Sequence, residues 1–184
     1  MGVILALALA AACGTVANVK PGAEPALGDA ASVVVLGVAT AVRIQAYLGW
    51  RDGKEWEQNA LAKAAINTVP KDGYAVVPIA PTRKGEAYGI LRVVPSIAAG
   101  AGVCTGGTAA VFEVPAGKVV YAGDVAYRRD DEHRLAVTHD FAKARAFVQR
   151  AYPKLAGALV DGRARAAKVR GGYCGGARLY VEVK

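Results

Sequence analysis

Apolar stretches in this chain are short, and each is stopped by glycine, proline or an Asp-Gly step, punctuation drawn from 22 glycines and 8 prolines. Chains cut this way form strands joined by turns, because glycine and proline interrupt helices and fit the corner positions of β-turns. Val33–Val38 is an almost unbroken aliphatic run of the kind buried on both faces. Val42–Trp50 alternates, with Val42, Ile44, Ala46 and Leu48 on one side and Arg43, Gln45 and Tyr47 on the other, as a half-buried strand requires. Arg51–Lys54 is turn chemistry. Further strands are expected at Tyr74–Ile79, Tyr88–Val94, Ala109–Val114, Val119–Tyr127, Leu135–Thr138 and Arg178–Val183, with a tight turn at Pro115–Lys118 and a polar tip at Arg128–Arg134. Glu55–Thr68 mixes helix formers with apolar residues at Trp56, Ala60, Leu61, Ala64 and Ala65, which predicts a short helix or an irregular insertion.

Helical periodicity is clear in one place. Thr138 or Asp140 can cap a helix over about 140–152 that aligns Phe141, Ala144, Val148, Ala151 and Tyr152 on one face. Pro153 ends it or opens a second turn through Leu155–Leu159, and Asp161-Gly162 is a stop. These elements predict a mainly β protein, a single β-sandwich of about seven to nine short strands with one C-terminal α-helix packed on it. That domain is expected to occupy residues 31–184, with no internal repeat.

The first residues are of another kind. Val3–Ala12 has no charge, glycine or proline, and it leads through Ala10, Ala11 and Ala12 to Cys13. Ten residues are too short for a membrane-spanning helix, which takes about 20, but they suit the apolar region of a secretory signal with small residues at its cleavage site. The stretch resembles a bacterial lipoprotein signal peptide ending in a lipobox. The resemblance implies that residues 1–12 are removed and that Cys13 carries acyl chains such as palmitate. Gly14, in place of an aspartate, implies the outer membrane. Residues 13–30, with Pro21 and Pro25, would then be a lipidated tether. Val111–Asp124 and the Tyr-Pro at 152–153 resemble a hairpin and helix end of uncharacterised periplasmic lipoproteins. That likeness covers roughly 32–159 and implies a prealbumin-like sandwich without an assigned activity.

Cys104 and Cys174 remain after Cys13, an even pair suited to an oxidising compartment. Both sit among glycines, which lets two loops approach closely, so a Cys104–Cys174 disulfide is expected. Charge is uneven. Residues 1–140 hold 13 Lys+Arg and 13 Asp+Glu, whereas 141–184 hold 10 and 2, so the net +8 lies in the last quarter. Lys143, Arg145, Arg150, Lys154, Arg163, Arg165, Lys168 and Arg170 are therefore candidate contacts for an anionic partner, either acidic lipid or cell-wall glycan. Nucleic acid is not expected, because no recognition helix or RNA-binding signature is present. A cytoplasmic nucleic-acid binder would have to leave Cys13 unprocessed.

Catalytic signatures are sparse. His139-Asp140 is the best pair for an imidazole oriented by a carboxylate, but the only serines, Ser32 and Ser96, lie in no nucleophile elbow. Asp130–His133 lacks the ligand spacing of a calcium loop and reads as a self-neutralising hairpin tip beside Arg128, Arg129 and Arg134. Trp50 and Trp56 flank a polar turn, where they can stack on sugars or pack in a core or an edge. The expectation is a membrane-anchored envelope lipoprotein with a binding or structural accessory role and no cofactor or metal. Its rivals are a soluble periplasmic binding module and an envelope hydrolase using His139 and Asp140.

Overall fold

The computed structural model describes residues 18–23, 25–95, 100–171 and 176–184. Thirteen strands run through it. The first six are β1 Ser32–Val38, β2 Arg43–Asp52, β3 Glu55–Gln58, β4 Ala64–Thr68, β5 Tyr74–Ile79 and β6 Glu86–Val94. Then come β7 Ala101–Gly102, β8 Thr108–Phe112, β9 Val119–Arg129 and β10 His133–Thr138. Helix α1, Phe141–Ala151, and a 3-10 helix, Pro153–Ala158, precede β11 Leu159–Asp161, β12 Arg165–Val169 and β13 Ala177–Val183.

Five of these strands close on themselves. β2 pairs with β3 and β6, β6 with β8, β8 with β12, and β12 returns to β3 as a parallel pair with Val169 opposite Trp56. Closure leaves these strands few open edges. β4 pairs with β2 at the barrel, and a second sheet runs in the order β5-β1-β9-β10-β13, with β11 on the first residues of β9. β13 also pairs with β7, which pairs with β6, so the last strand stitches sheet to barrel.

Two apolar layers result. In β1, Val34, Leu36 and Val38 point toward the barrel, while Val33 and Val35 point toward α1. Both faces of β1 are thus covered, which is why its sequence is apolar throughout rather than alternating. α1 lays Ala144, Phe147 and Val148 on the second sheet, and Phe147 stacks on Tyr74 with centroids 3.8 Å apart. Lys143, Arg145 and Arg150 face away, as the periodicity requires.

The mainly β class and the C-terminal helix match the expectation. The strand number and the sandwich do not: there are 13 strands, built around a five-strand closed barrel. Glu55–Thr68 holds β3 and β4 instead of a helix. Its helix formers are overridden because Trp56 is wholly buried inside the barrel and donates its indole N–H to Ala87 O at 3.0 Å. β12 escaped notice because its basic residues point outward and only Ala167 and Val169 reach the core. In β2 the alternation holds through Ala46. A bulge between Ala46 and Tyr47 then shifts the buried position to Gly49, leaving Leu48 half-buried.

The chain joins the fold at Asn18. Its side chain bridges Val69 O (2.8 Å) and Val76 N–H (3.0 Å), and Val19 exchanges backbone and side-chain bonds with Val76 and Tyr152. Val19 is buried and Leu27 packs against the same cluster, so both side chains lie against the domain. The segment 1–17, with the expected signal peptide and Cys13, is outside the described residues, as is Cys174.

Candidate functional site

The densest polar grouping gathers where β9, the turn before β5 and the start of α1 meet. Tyr121 is fully buried; its hydroxyl donates to Asp124 Oδ2 at 2.7 Å and accepts the Asp140 N–H at 3.0 Å. Residues three apart on a regular strand point to opposite faces. Here an extra residue in β9, between the pairs Val35↔Tyr121 and Leu36↔Gly123, turns Tyr121 and Asp124 toward each other, with Gly123 at φ 132°. Opposite them, a Cβ on Gly37 would overlap Asp124 Oδ1, so this carboxylate occupies the space of a missing side chain.

Asp140 is the cap of α1: its Oδ1 accepts the Lys143 N–H at 3.0 Å. Asp72 stands in the left-handed region at φ 54°, in the turn that brings Lys71 back to Tyr74. Asp72, Asp124, Asp140, Lys143, Tyr74 and Thr138 line a cavity of about 520 Å³. The Tyr74 side chain is mostly buried, and its hydroxyl is buried without a hydrogen-bond partner. Burial first, then the carboxylates of Asp124 and Asp140, raise the Tyr74 phenol above its ordinary value. Tyr121 is likewise pushed up, mainly by burial. Both phenols are therefore neutral donors at physiological pH. Carboxylates and protonated phenols around one recess suit a small ligand bearing amine or hydroxyl groups.

The His139–Asp140 pair on which the rival hydrolase reading depends does not form. His139 turns its Nε2 to Asp161 Oδ2 at 3.1 Å and lays its ring on Tyr121, centroids 5.0 Å apart, while Asp140 faces the helix start. Ser32 is committed elsewhere, donating to Pro115 O at 2.8 Å, and Ser96 lies outside the described residues. No group of three metal-ligating side chains occurs among the described residues. The tip between β9 and β10 behaves as its charges suggest. Arg134 pairs with Glu132 at 2.7 Å, and His133 bonds the Tyr127 hydroxyl at 2.6 Å. Of the two tryptophans, Trp56 is core and Trp50 is 54% exposed.

The eight basic candidates do not converge. Lys143, Arg145 and Arg150 lie on α1 and Lys154 on the 3-10 helix, whereas Arg163, Arg165, Lys168 and Arg170 follow the barrel wall. All are exposed, and Arg170 pairs with Glu55 at 3.4 Å. Arg163 and Arg165 join Arg51, itself paired with Glu113 at 3.3 Å, around a cavity of about 280 Å³. Cys104 is buried in the glycine loop between β7 and β8.

Sequence reasoning named Asp140 and Lys143 but missed Tyr74, Tyr121 and Asp124. The Ala-Gly-Asp step after Tyr121 was the available signal, since a glycine inside a strand marks a bulge.

Tyr74, Tyr88, Tyr121, Tyr127 and Tyr152 all have raised phenol pKa values, burial being the largest cause in each; that of Tyr88 is pushed up to about 12, with Glu86 adding to it. An unfolded phenol ionises near 10. The folded state thus keeps protons that the unfolded state has lost, so stability is full below about pH 10 and falls as pH rises from 10 toward 12. Phenolate absorbance is expected to lag that of a denatured control, and melting temperatures to drop across that window. Coincident titration curves would refute this.

No family model matches the chain, and neither the curated proteins nor the solved structures hold a significant match to it.

Proposed function

We propose that this protein is an outer-membrane lipoprotein of the bacterial envelope, anchored through acyl chains on Cys13, whose domain serves as a binding or structural accessory rather than as a catalyst. The observation that carries the reading is the apolar, uncharged run Val3–Ala12 leading through three alanines to a cysteine five residues before Asn18, which is bonded to Val69 and Val76. The two or three chains on such a cysteine hold firmly, where one would bind reversibly. A non-catalytic role is supported by His139, which engages Asp161, and by Ser32, whose hydroxyl is committed to Pro115 O. The recess at Tyr74 is the place for a small ligand.

The same reading pairs Cys104 with Cys174. Both ends of the segment that carries Cys174 lie against the Cys104 loop. Val169 N–H bonds Gly107 O and Gly106 N–H bonds Val169 O, each at 2.8 Å, while a Cβ on Gly176 would stand 2.8 Å from Gly100 O. A bridge there closes a loop of roughly 70 residues, worth about 4 kcal/mol in the chain-entropy view.

Intact mass of the membrane-expressed protein, without reductant and after thiol alkylation, tests both statements. The expected species is Cys13–Lys184 plus a diacylglyceryl group, with or without a third acyl chain, and no alkylated thiol. An unprocessed chain with three alkylated thiols would overturn the proposal. A chain cut after Ala12 without lipid would make the protein a soluble periplasmic module.

A further inference from the structure

We propose that the anchored domain rests on the membrane through one defined face, the surface around Asn18, where Lys20, Lys71 and Arg150 meet anionic phospholipid headgroups. This inference rests on the lipid anchor at Cys13 proposed above.

The first argument is length. Asn18 is locked to Val69 and Val76, and Val19 to Val76 and Tyr152, so no more than five residue steps separate Cys13 from an anchored residue. Five residue steps span at most about 18 Å when fully extended. A compact domain of this size has a radius of gyration near 15 Å, hence a width of roughly 40 Å. A leash shorter than the body it holds prevents free tumbling. The surface around its attachment point stays close to the bilayer, and the opposite side is held away.

The second argument is the chemistry of that surface. Lys20 follows Val19 directly and is exposed; Lys71 is exposed in the turn two residues beyond Val69. Arg150 lies in the last turn of α1, next to Ala151, whose carbonyl accepts the Gly22 N–H at 3.1 Å. It is near enough to Tyr74 to act on its phenol. Val69, 40% exposed, adds an apolar contact beside Asn18. Asp72 is an opposing charge, exposed in the same turn as Lys71 and lining the Tyr74 recess with Asp124. Asp140 lies about 15 Å away along α1, ten residues at 1.5 Å each. A surplus of cations ringing the attachment point is complementary to an acidic leaflet. Each basic group held there strengthens contact about fivefold. The basic residues on β12 sit on the barrel wall and take no part.

The test uses the acylated protein purified from membranes, its mass verified. It is reconstituted into vesicles of phosphatidylcholine alone or in equal parts with phosphatidylglycerol, and read by hydrogen exchange. Slowed exchange is expected on the acidic vesicles at Val69–Tyr74 and at the end of α1, and high salt should abolish it. The combined Lys20→Glu, Lys71→Glu and Arg150→Glu variant should lose at least tenfold of that protection. Arg165→Glu with Lys168→Glu should lose none. Equal exchange on both vesicles, or protection centred on β12, would overturn the proposed face while leaving the anchor intact. A protein without acyl mass would remove the anchor itself, an outcome read before any vesicle is made.

Discussion

Replacing Trp56 with alanine is expected to destabilise the protein by about 3–5 kcal/mol, the range for emptying the site of a large buried aromatic. Trp56 is fully buried inside the closed barrel, and its indole N–H is satisfied by Ala87 O. The ring fits because Gly49 and Gly89 carry no side chains beneath it. A Cβ on Gly89 would stand 2.9 Å from the indole, and one on Gly49 would overlap the Glu57 carbonyl as well as crowd the ring. Gly89→Ala should therefore be costly alone and nearly neutral beside Trp56→Ala, since the three atoms nearest its Cβ all belong to the indole. Gly49→Ala should stay costly in both backgrounds, because the Glu57 backbone remains. Urea unfolding of the single and double variants measures the coupling. Additive costs for Gly89 and Trp56 would show that the ring does not need the vacancy.

The second large effect is expected at Gly37. A methyl group there displaces the Asp124 carboxylate, which can move only by leaving the Tyr121 hydroxyl. Charge-assisted bonds of this type contribute about 1.5–3 kcal/mol, and a buried hydroxyl left with one bond fewer adds to the loss. Gly37→Ala should thus cost about 2–3 kcal/mol, but little once Asp124→Ala has already vacated the space. Tyr121→Phe should remove the same bond together with the one to the Asp140 N–H, loosening the start of α1. Faster amide exchange over Asp140–Ala144 in that variant is the accompanying sign. Unchanged exchange there would mean that the Asp140 side-chain cap holds the helix start alone.

Residues whose environment is set by their own neighbours were legible beforehand. The two-sided burial of β1, the face of α1 and the self-neutralising tip after β9 follow from local periodicity and charge. Residues whose environment is set by distant strands were not. Nothing near Trp56 in the sequence announces that β12, more than a hundred residues on, will lie beside it and seal a barrel. Tyr121 and Asp124 looked like neighbours on opposite faces until the extra residue turned them together. Asp140, its chain neighbour, was the carboxylate a hydrolase reading would give His139, but β11 supplies Asp161, 22 residues on, as its partner. Adjacency in the chain is a poor guide to adjacency in a β-rich site, where registers and bulges set which side chains meet.

The way β12 and β13 complete the structure bears on when the protein can fold. The barrel needs Arg165–Val169 to close against β3 and β8, and the second sheet needs Ala177–Val183 to reach β7 and the barrel. Ring closure therefore joins segments more than a hundred residues apart, the kind of non-local pairing that slows folding. Until Arg165–Val169 emerges, β3 and β8 expose raw edges and the barrel stays open. Barrel closure is thus deferred until more than a hundred residues beyond β3 have been made, which keeps that stretch of polypeptide extended and threadable meanwhile.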